Sequence, residues 1–243
     1  MKHPLAVFYH ARLSGGRNYL NYSQPNAHNV IQPQFARGVF LEQMQALIDS
    51  KLYENANEIM IGVNASSDSP DAAFVEANYP PGANRKYWGG EAESLLPTMR
   101  LMHEWTKTHP NWNVLFLHTK GVNHAGEPFY NVWRWCSQKI VLWNWRQCAA
   151  DLDAGYDAAG PHWLTREKYG PIVNPEHGGT GFFGGVIYWA KASYLAKLPP
   201  LIEKVTCTAD WYWPEHFVGL GNPKVKAYAD HWPGEQPCGA TLR

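Results

Sequence analysis

Four consecutive residues, His118-Thr119-Lys120-Gly121, place an imidazole, a hydroxyl, an ammonium and a glycine directly after an apolar run. A lysine is a mobile point charge that suits phosphate oxygens, and a histidine can donate to a phosphate or ligate a metal ion. Because Val114–Leu117 reads as a buried strand, these side chains would stand at its mouth. The segment predicts an anion or diphosphate site, with an ordinary polar strand end as the alternative.

Two carboxylates in the aromatic-rich last third of the chain, Asp210 and Glu215, are candidates for a general base. Aromatic surroundings desolvate a carboxylate and raise its pKa, which suits the removal of a hydroxyl proton. The alternatives are a helix N-cap for Asp210 and a structural hydrogen-bonding role for Glu215. The one Asp-x-Asp in the sequence, Asp151-Leu152-Asp153, falls at a predicted helix end and is interpreted as a solvated surface pair.

Short apolar runs predict the strands that would position these groups. Leu5–Tyr9, Ile59–Val63 and Val114–Leu117 each read as a buried strand. Helical spacing of apolar residues predicts a helix around 40–48 and another over 95–106. Two such strand–helix–strand units predict a parallel sheet covered by helices on both faces, whose ligands bind at the carboxyl ends of the strands.

The second half of the sequence is less regular. It predicts a long helix over 132–154, a short strand at 157–160 and an antiparallel strand at 182–189, whereas 78–90 and 161–181 read as loops. The predicted fold class is therefore α/β: a Rossmann-like, mostly parallel central sheet flanked by helices, with a smaller irregular region toward the C-terminus. No linker or repeat divides the chain, so one domain over residues 1–243 is the simplest interpretation.

Composition narrows the class of protein further. The 243 residues are 45% hydrophobic and 17% charged, which indicates a globular chain, and the 21 basic and 21 acidic residues balance to a net charge of zero. Such a balance gives no global attraction to nucleic acid or anionic lipid, although a patch around Lys120, Arg134 and Lys168 stays open. No run reaches the ~18 apolar residues of a membrane span, so we expect no integral membrane association.

Cysteine spacing and the N-terminal residues bear on the compartment. If Cys136 and Cys148 share a helix, a rise of ~1.5 Å per residue separates them by about 18 Å, beyond the reach of a disulfide. The sequence has no Cys-x-x-Cys, and the first apolar run soon meets His10 and Arg12, unlike a signal peptide. We therefore expect reduced thiols and a cytoplasmic location.

Several segments taken together carry a family resemblance. The run LFLHTKGV at Leu115–Val122 resembles the strand-end segment of glycosyltransferase-like proteins of the GT-A type, and LAVFYHA at Leu5–Ala11 resembles their first nucleotide-binding strand. Three further stretches resemble their central helix and next strand, their acceptor-side pattern and their closing element, namely Trp145–Gly160, Gly181–Leu195 and Trp213–Gly219. These segments follow one another in the family's order and cover most of the chain.

The resemblance implies a GT-A fold and transfer of a sugar from a nucleotide diphosphate sugar, a UDP-sugar by preference, to an acceptor hydroxyl. Residues 1–125 would bind the nucleotide sugar and residues 126–243 would form the acceptor side. The acceptor stays open between a saccharide, a lipid-linked sugar, a protein and a hydroxymethylated DNA base of a phage-like modification system, which an enzyme reaches by flipping the base.

Site residues follow from these expectations. Catalytic roles fall to Glu215, Asp210 and Lys120. The expected donor-binding residues lie at the strand ends and in the second helix: Tyr9, His10, Arg12, Asn64, Glu93, Thr98, His118, Thr119, Lys120 and Gly121. The expected acceptor-binding residues are Gly181, Phe183, Gly184, Trp189, Trp213 and His216.

The sequence departs from the family at the metal site. Most such enzymes carry Asp-x-Asp at this strand end to hold Mn²⁺ or Mg²⁺ on the diphosphate, and His118-Thr119-Lys120 stands there instead. Two alternatives follow: Lys120 neutralises the leaving diphosphate without a metal, or His118 binds a metal with His231 or Asp230. A site that contains histidine would favour Mn²⁺ over Mg²⁺.

Two other classes of function compete with transfer. A non-catalytic module that binds sugars or nucleotide sugars would also use the 12 Trp, 13 Tyr and 9 Phe of this chain. A glycoside hydrolase would need two facing carboxylates, and the sequence offers no convincing pair.

Overall fold

The computed structural model describes residues 2–14, 31–89, 95–165, 167, 179–203 and 213–229. Its strands, in chain order, are β1 Leu5–Ala11, β2 Glu58–Val63, β3 Asn84–Tyr87, β4 Asn113–His118, β5 Ala158–Gly160, β6 Trp163–Thr165, β7 Gly181–Phe183, β8 Tyr188–Lys191 and β9 Val225–Ala227. Seven of them form a central sheet in the order β3-β2-β1-β4-β8-β5-β9, and β6 pairs with β7 in a small second sheet.

The central sheet is mostly parallel. Strand β1 runs parallel to β2 and β4, β2 runs parallel to β3, and β5 runs parallel to β9. Strand β8 is antiparallel to both of its neighbours, β4 and β5, while β6 and β7 are antiparallel to each other. The predicted fold class is confirmed, including the antiparallel strand in the second half of the chain.

Helices cover both faces of this sheet. They are α1 Pro33–Asp49, α2 Leu52–Asn55, α3 Pro70–Asn78, α4 Leu96–Thr108, α5 Pro128–Gln138, α6 Trp145–Asp153 and α7 Ala192–Leu195. Four of them begin with a proline in the first turn, where its fixed φ suits a helix and its missing N–H leaves no partner unsatisfied: Pro33, Pro70, Pro97 and Pro128. The Ser69 hydroxyl also caps α3, because it accepts from the amide of Ala72 at 3.1 Å.

Alternation along β1 divides the core into two layers. Val7 and Tyr9 pack in the layer that contains Phe40 of α1, whereas Phe8 packs in the layer that contains Met99 of α4. His10 comes two residues after Phe8 along β1, so its side chain lies on the same face of the sheet as that of Phe8. The site residues that end β1 therefore point to opposite faces of the sheet.

The predicted helix over 132–154 is two helices. A π-helical turn, Lys139–Trp143, separates α5 from α6. Its geometry frees backbone carbonyls that side chains then use, since Trp189 Nε1 donates to the carbonyl of Val141 at 2.9 Å. The apolar pattern runs through this turn unchanged, which is why the spacing alone predicts one helix.

Three further differences concern short elements. The predicted loop at 78–90 contains β3, whose sequence Asn-Arg-Lys-Tyr lacks an apolar alternation because it lies at the sheet edge. The predicted strand at 182–189 is split between β7 and β8 by a turn over 184–187. The predicted loop at 161–181 contains β6.

The cysteines and the acidic pair of α6 also differ from expectation. Cys148 is a free buried thiol, so it is not bonded to Cys136, but Cys136 takes part in a disulfide. The prediction of reduced thiols is therefore wrong at Cys136. Asp151 accepts from the Tyr228 hydroxyl at 2.5 Å and Asp153 accepts from the Lys2 amide at 2.9 Å, so this pair ties distant parts of the chain together and is not merely solvated.

None of the helices in the described ranges is long and apolar enough to cross a membrane.

Candidate active site

The carboxyl ends of β1 and β4 bring two histidines together. His10 lies directly opposite His118 in the parallel pairing of these strands. In the sheet, β2 lies on one side of β1 and β4 lies on the other, so the order of the strands reverses at β1. Ligands of open α/β sheets bind at such a reversal of strand order. The two histidines thus lie at one edge of the sheet, here called the rim, as the strand-end rule predicts for neighbouring parallel strands.

His118 connects β4 to the turn between β7 and β8. Its Nε2 lies 2.7 Å from the carbonyl oxygen of Gly185. Because a carbonyl only accepts, Nε2 carries the proton and donates it. Burial, reinforced by the positive charges of Lys120 and Arg12, lowers the pKa of His118 from 6.5 to about 3. The imidazole is therefore neutral near pH 7 and cannot bind a metal through Nε2 in this arrangement.

His10 forms a buried hydrogen-bonded group with Thr98 of α4 and with Trp88, which follows β3. Its Nδ1 is 2.8 Å from Thr98 Oγ1, and Trp88 Nε1 donates to the same oxygen at 3.1 Å. Burial, followed by the charges of His118 and Arg12, lowers the pKa of His10 to about 3. Its Nε2 is buried without a hydrogen-bond partner among the described residues. Gly62 makes room for this group, because a Cβ there would overlap Thr98 Oγ1.

Thr119 fixes the backbone of Arg12. The hydroxyl accepts from the Arg12 amide at 3.0 Å and donates to the Arg12 carbonyl at 3.2 Å, while the Thr119 amide donates to the His10 carbonyl at 3.1 Å. These bonds extend the contact of β1 and β4 beyond the strand ends. They hold Arg12 where its charge acts on both histidines.

Lys120 is half-buried, its side chain lies over Trp133 and Gly185, and the charge of Glu215 acts on it. Its Nζ is 4.0 Å from the centre of the Trp133 ring, a cation–π distance. A methyl group placed on Gly185 would lie 3.1 Å from Lys120 Cε, so the lysine stem crosses directly over that glycine. Burial lowers the pKa of Lys120, and the negative charge of Glu215 partly opposes this effect.

Glu215 is the carboxylate that acts on Lys120. It is half-buried, and burial raises its pKa while the charge of Lys120 opposes the rise. Each member of the pair is thus displaced toward its neutral form by desolvation and toward its charged form by the other. This environment matches the prediction for a carboxylate base, whose pKa must rise toward the working pH.

A second cation supports the segment that carries Lys120. Arg134 is buried and lies 3.2 Å from Glu42 Oε2, and its Nη1 is 3.4 Å from the Lys120 carbonyl. Gly121 follows with φ +82°, a conformation that favours glycine, and a Cβ there would lie 3.2 Å from Tyr130 Cβ. Arg134 is therefore a buried partner of α1 and does not form part of an open basic patch.

Tyr9 does not reach this group of side chains. It is 1% exposed, and its hydroxyl donates to Gln43 Oε1 at 2.6 Å. Gln43 Nε2 in turn donates to the His118 carbonyl at 3.0 Å. Tyr9 thus lies in the core layer opposite His10, and its connection to the site runs through Gln43 and the β4 backbone.

Asn64 follows β2 and is buried next to the same rim. Its amide donates to the Ala11 carbonyl at 2.9 Å. Its side-chain Oδ1 is a buried acceptor without a partner among the residues that the structure describes. An acceptor of this kind is available to a ligand that brings an N–H or O–H group.

The expected acceptor residues divide into two groups. Trp189 and Phe183 are fully buried in the core, and His216 is buried against Phe182 with ring centres 4.8 Å apart. Gly181 packs against the backbone of Gly219. These four expected acceptor residues lie inside the protein.

The remaining two expected acceptor residues are Gly184 and Trp213. A Cβ on Gly184 would lie 3.1 Å from Trp133, the ring beneath Lys120. Trp213 is half-buried two residues before Glu215, and its ring is 5.7 Å from that of Phe217. Three expected site residues, Glu93, Asp210 and His231, lie outside the described residues.

Sequence reasoning missed Gln43, Trp88 and the place of Gly185 beneath Lys120, and it named Arg134 only as part of a basic patch. Gln43 gave a signal, because it occupies a buried position of the apolar stripe of α1, three residues after Phe40. Trp88 and Gly185 reach the site only through tertiary contacts. Local patterns around them carry no such information.

The residues present do not fit a divalent metal at this strand end. No group of three or more His, Cys, Asp or Glu side chains suited to a metal occurs in the described part of the chain. His118 Nε2 donates a proton, the Thr119 hydroxyl is bonded to Arg12, and Lys120 is a cation. The expected ligand pair of His118 and His231 stays a prediction, because only Nδ1 of His118 has a lone pair for a metal and His231 lies outside the described residues.

Comparison with known proteins gives similarities of fold. No protein-family profile and no curated protein matches the chain. Among solved structures, it is similar to a protein proposed to be a nucleotide-diphospho-sugar transferase from Desulfovibrio desulfuricans G20, with 12% identity, a TM-score of 0.49, and coverage of 93% of this chain and 80% of that one. It is also similar to 4-diphosphocytidyl-2C-methyl-D-erythritol synthase from Anaerococcus prevotii DSM 20548, with 14% identity, a TM-score of 0.45, and coverage of 99% and 94%.

A third similar structure is TarS 1-349 of S. aureus, with 8% identity, a TM-score of 0.44, and coverage of 94% of this chain and 58% of that one. Because the TM-scores lie below 0.5, we take no activity from these structures.

Proposed function

We propose that this protein is a glycosyltransferase that moves a sugar from a nucleotide diphosphate sugar, a UDP-sugar by preference, to an acceptor hydroxyl. The observation that carries the proposal is the half-buried pair of Lys120 and Glu215 at the carboxyl end of β4. A cation for the leaving diphosphate and a carboxylate for the acceptor proton are the two charges that such a transfer needs.

Lys120 and Arg12 bind the diphosphate. The charges of both residues act on His118, which ends β4 opposite the end of β1. Desolvation strengthens the attraction of Lys120 for an anion, because water screens the charge less there. Thr119 holds the Arg12 backbone, and His118 holds Gly185 under the Lys120 stem. Because these groups are already ordered, little conformational entropy is lost when the diphosphate binds.

The nucleoside lies along the β1 and β2 ends. His10 Nε2 and Asn64 Oδ1 are buried polar atoms that have no partner among the described residues. A ribose hydroxyl or a base N–H satisfies such atoms, which would otherwise remain desolvated at a cost of about 1–3 kcal/mol each.

Glu215 acts as the base in a direct displacement. It takes the acceptor proton as the acceptor oxygen forms a bond to the anomeric carbon. The bond from that carbon to the diphosphate breaks, and UDP leaves with the electron pair. The charge of Lys120 acts on this carboxylate, and in the proposed complex it also compensates the charge that develops on the diphosphate.

A saccharide is the acceptor class we favour. Trp213 is half-buried two residues before Glu215, and an aromatic face of this kind packs against a sugar ring. A hydroxymethylated base in DNA is the second possibility to test, although the net charge of zero gives no general attraction to a polyanion.

The test is product formation. The full chain is incubated with a panel of UDP-sugars and with either oligosaccharides or hydroxymethylcytosine-containing DNA, and products are identified by mass spectrometry. We expect UDP release that depends on the acceptor, and an acceptor that gains one sugar residue. Glu215→Gln should lower kcat roughly 10²- to 10⁴-fold with little change in the donor KM.

Glu127→Gln is the matched control, because Glu127 is also a half-buried carboxylate, is bonded to His124 at 3.1 Å, and is not among the charges that shift the pKa of Lys120. It should retain wild-type turnover. UDP binding without any product would favour a non-catalytic binding module, and UDP release at the same rate without an acceptor would indicate hydrolysis.

A further inference from the structure

In the segment His118-Thr119-Lys120, most side-chain polar groups are already committed, and His118 keeps only the lone pair of its Nδ1 for a ligand. His118 Nε2 donates to Gly185, and the Thr119 hydroxyl both accepts from and donates to the Arg12 backbone. Lys120 is a cation with no acceptor atom. Mg²⁺ and Mn²⁺ require ligand atoms with lone pairs, and Mg²⁺ in particular prefers oxygen ligands.

The protein supplies positive charge to this segment through its own side chains, Lys120 and Arg12. Burial lowers the pKa of His118, and the positive charges of Lys120 and Arg12 lower it further. Glu215 is the one carboxylate among the described residues that acts on Lys120. Positive charge therefore acts on this segment before any ligand binds, and it disfavours the approach of a second cation.

The packing of Lys120 makes this charge a fixed one. Its stem lies over Gly185 and its Nζ lies over the Trp133 ring, while Arg134 bonds to its carbonyl oxygen. A preorganised cation stabilises a leaving anion without reorganisation at the moment of reaction, which is the role that a metal ion plays elsewhere.

We propose that this protein binds the diphosphate of its nucleotide sugar on Lys120 and Arg12 without a divalent metal ion. The inference rests on the proposed function, since it names how the same site compensates the charge of its donor. It concerns binding, so its test needs no turnover.

The experiment is a calorimetric titration of UDP into the full chain, first in EDTA and then in buffer with MnCl₂ or MgCl₂. We expect binding in EDTA with a Kd that changes less than about threefold when either metal is added. Binding that appears only with metal, or tightens tenfold or more, overturns the inference and leaves the proposed function standing. Failure of UDP to bind in any of the buffers overturns the proposed function as well.

Lys120→Met in EDTA assigns the effect to this side chain. Methionine keeps an unbranched stem over Trp133 and removes the charge, and Glu215 can take up a proton once its partner charge is lost. We expect UDP affinity to fall roughly 10- to 100-fold, the loss of about 1.5–3 kcal/mol in charge-assisted hydrogen bonds. Unchanged affinity in the folded variant would contradict the inference.

Lys139→Met is the matched control, because Lys139 Nζ also lies over a tryptophan, 3.8 Å from the Trp135 ring centre. It should bind UDP as the wild type does. Far-UV circular dichroism and thermal unfolding of both variants check that each is folded.

Discussion

His118 donates through Nε2 to the Gly185 carbonyl across 2.7 Å, and this bond joins β4 to the turn that precedes β8. The two residues are 67 positions apart in sequence. Gly185 then lies under the Lys120 stem, which follows His118 by two residues. One hydrogen bond thus sets the position of the cation on which the proposed function depends.

Gly185→Ala should weaken donor binding as well as the fold. Gly185 has φ +88°, and an added methyl would lie 3.1 Å from Lys120 Cε, so the lysine must move. We expect a stability loss of about 1–2 kcal/mol from the left-handed backbone and a rise in the donor KM. Urea unfolding and steady-state kinetics measure the two effects separately.

Gly82→Ala is the control for this variant. Gly82 has the same φ of +88°, and a methyl there meets nothing within 4 Å. Its stability should fall by a similar amount while the donor KM stays at the wild-type value. Equal donor KM values in the two variants would show that the contact with Lys120 does not matter.

Stability should fall with acid between pH 6.5 and about 3 because of His10 and His118, each of which has a folded-state pKa lowered from 6.5 to about 3. The unfolded chain binds protons in this window that the folded chain excludes, so the free energy of unfolding decreases as pH falls. Urea unfolding at several pH values measures the slope.

His118→Gln isolates one of the two contributions. A glutamine amide can still donate to the Gly185 carbonyl but does not titrate. The slope between pH 6.5 and about 3 should therefore be shallower in this variant. An unchanged slope would mean that His118 takes up its proton as readily in the folded protein as in the unfolded chain.

The pH profile of kcat/KM should be bell-shaped, with limbs set by Glu215 and Lys120. Glu215 must lose its proton to act as a base, and its raised pKa places the acidic limb above 4.5. Lys120 must keep its proton to bind the diphosphate, and its lowered pKa places the basic limb below 10.5. Activity thus rises through the first pKa and falls through the second.

The two variants already described should each remove one limb. Residual activity of Glu215→Gln should lose the acidic limb, and UDP affinity of Lys120→Met should no longer fall at high pH. A Lys120→Met variant that keeps the basic limb would assign that limb to another group.

Tyr9→Phe should destabilise the protein without changing donor binding. The variant leaves Gln43 Oε1 buried without the hydroxyl that donates to it at 2.6 Å, at a cost of about 1–3 kcal/mol. The ring itself is 1% exposed and keeps its core contacts, so the donor KM should not change. Tyr53→Phe, which removes a surface hydroxyl bonded to Pro81, serves as the control and should cost less.

A rise in the donor KM of Tyr9→Phe without a loss of stability would restore the role that the sequence predicts for Tyr9, a contact with the nucleotide.

The sheet was predictable because its central strands are buried on both faces. Strands β1, β2 and β4 appear in the sequence as continuous apolar runs, which only a covered sheet accommodates. Strand β3 lies at the edge and is polar, so no apolar run marks it. The π-helical turn at Lys139–Trp143 keeps an apolar composition, and the spacing hides it.

The site was predictable where adjacent parallel strands end, and less so elsewhere. The strand-end rule brings His10 and His118 together because neighbouring parallel strands finish at the same edge. It fails for Tyr9, since side chains alternate between faces and Tyr9 points away from His10. Gly185 and Trp88 reach the site through tertiary contacts, which a local sequence pattern does not predict.

The most direct test of the account is a crystal structure of the chain with UDP bound. We predict diphosphate oxygens at about 2.7–3.2 Å from Lys120 Nζ, beside Arg12 and at the carboxyl ends of β1 and β4. A diphosphate bound elsewhere on the molecule, or a Lys120 side chain turned away from it, would contradict the account.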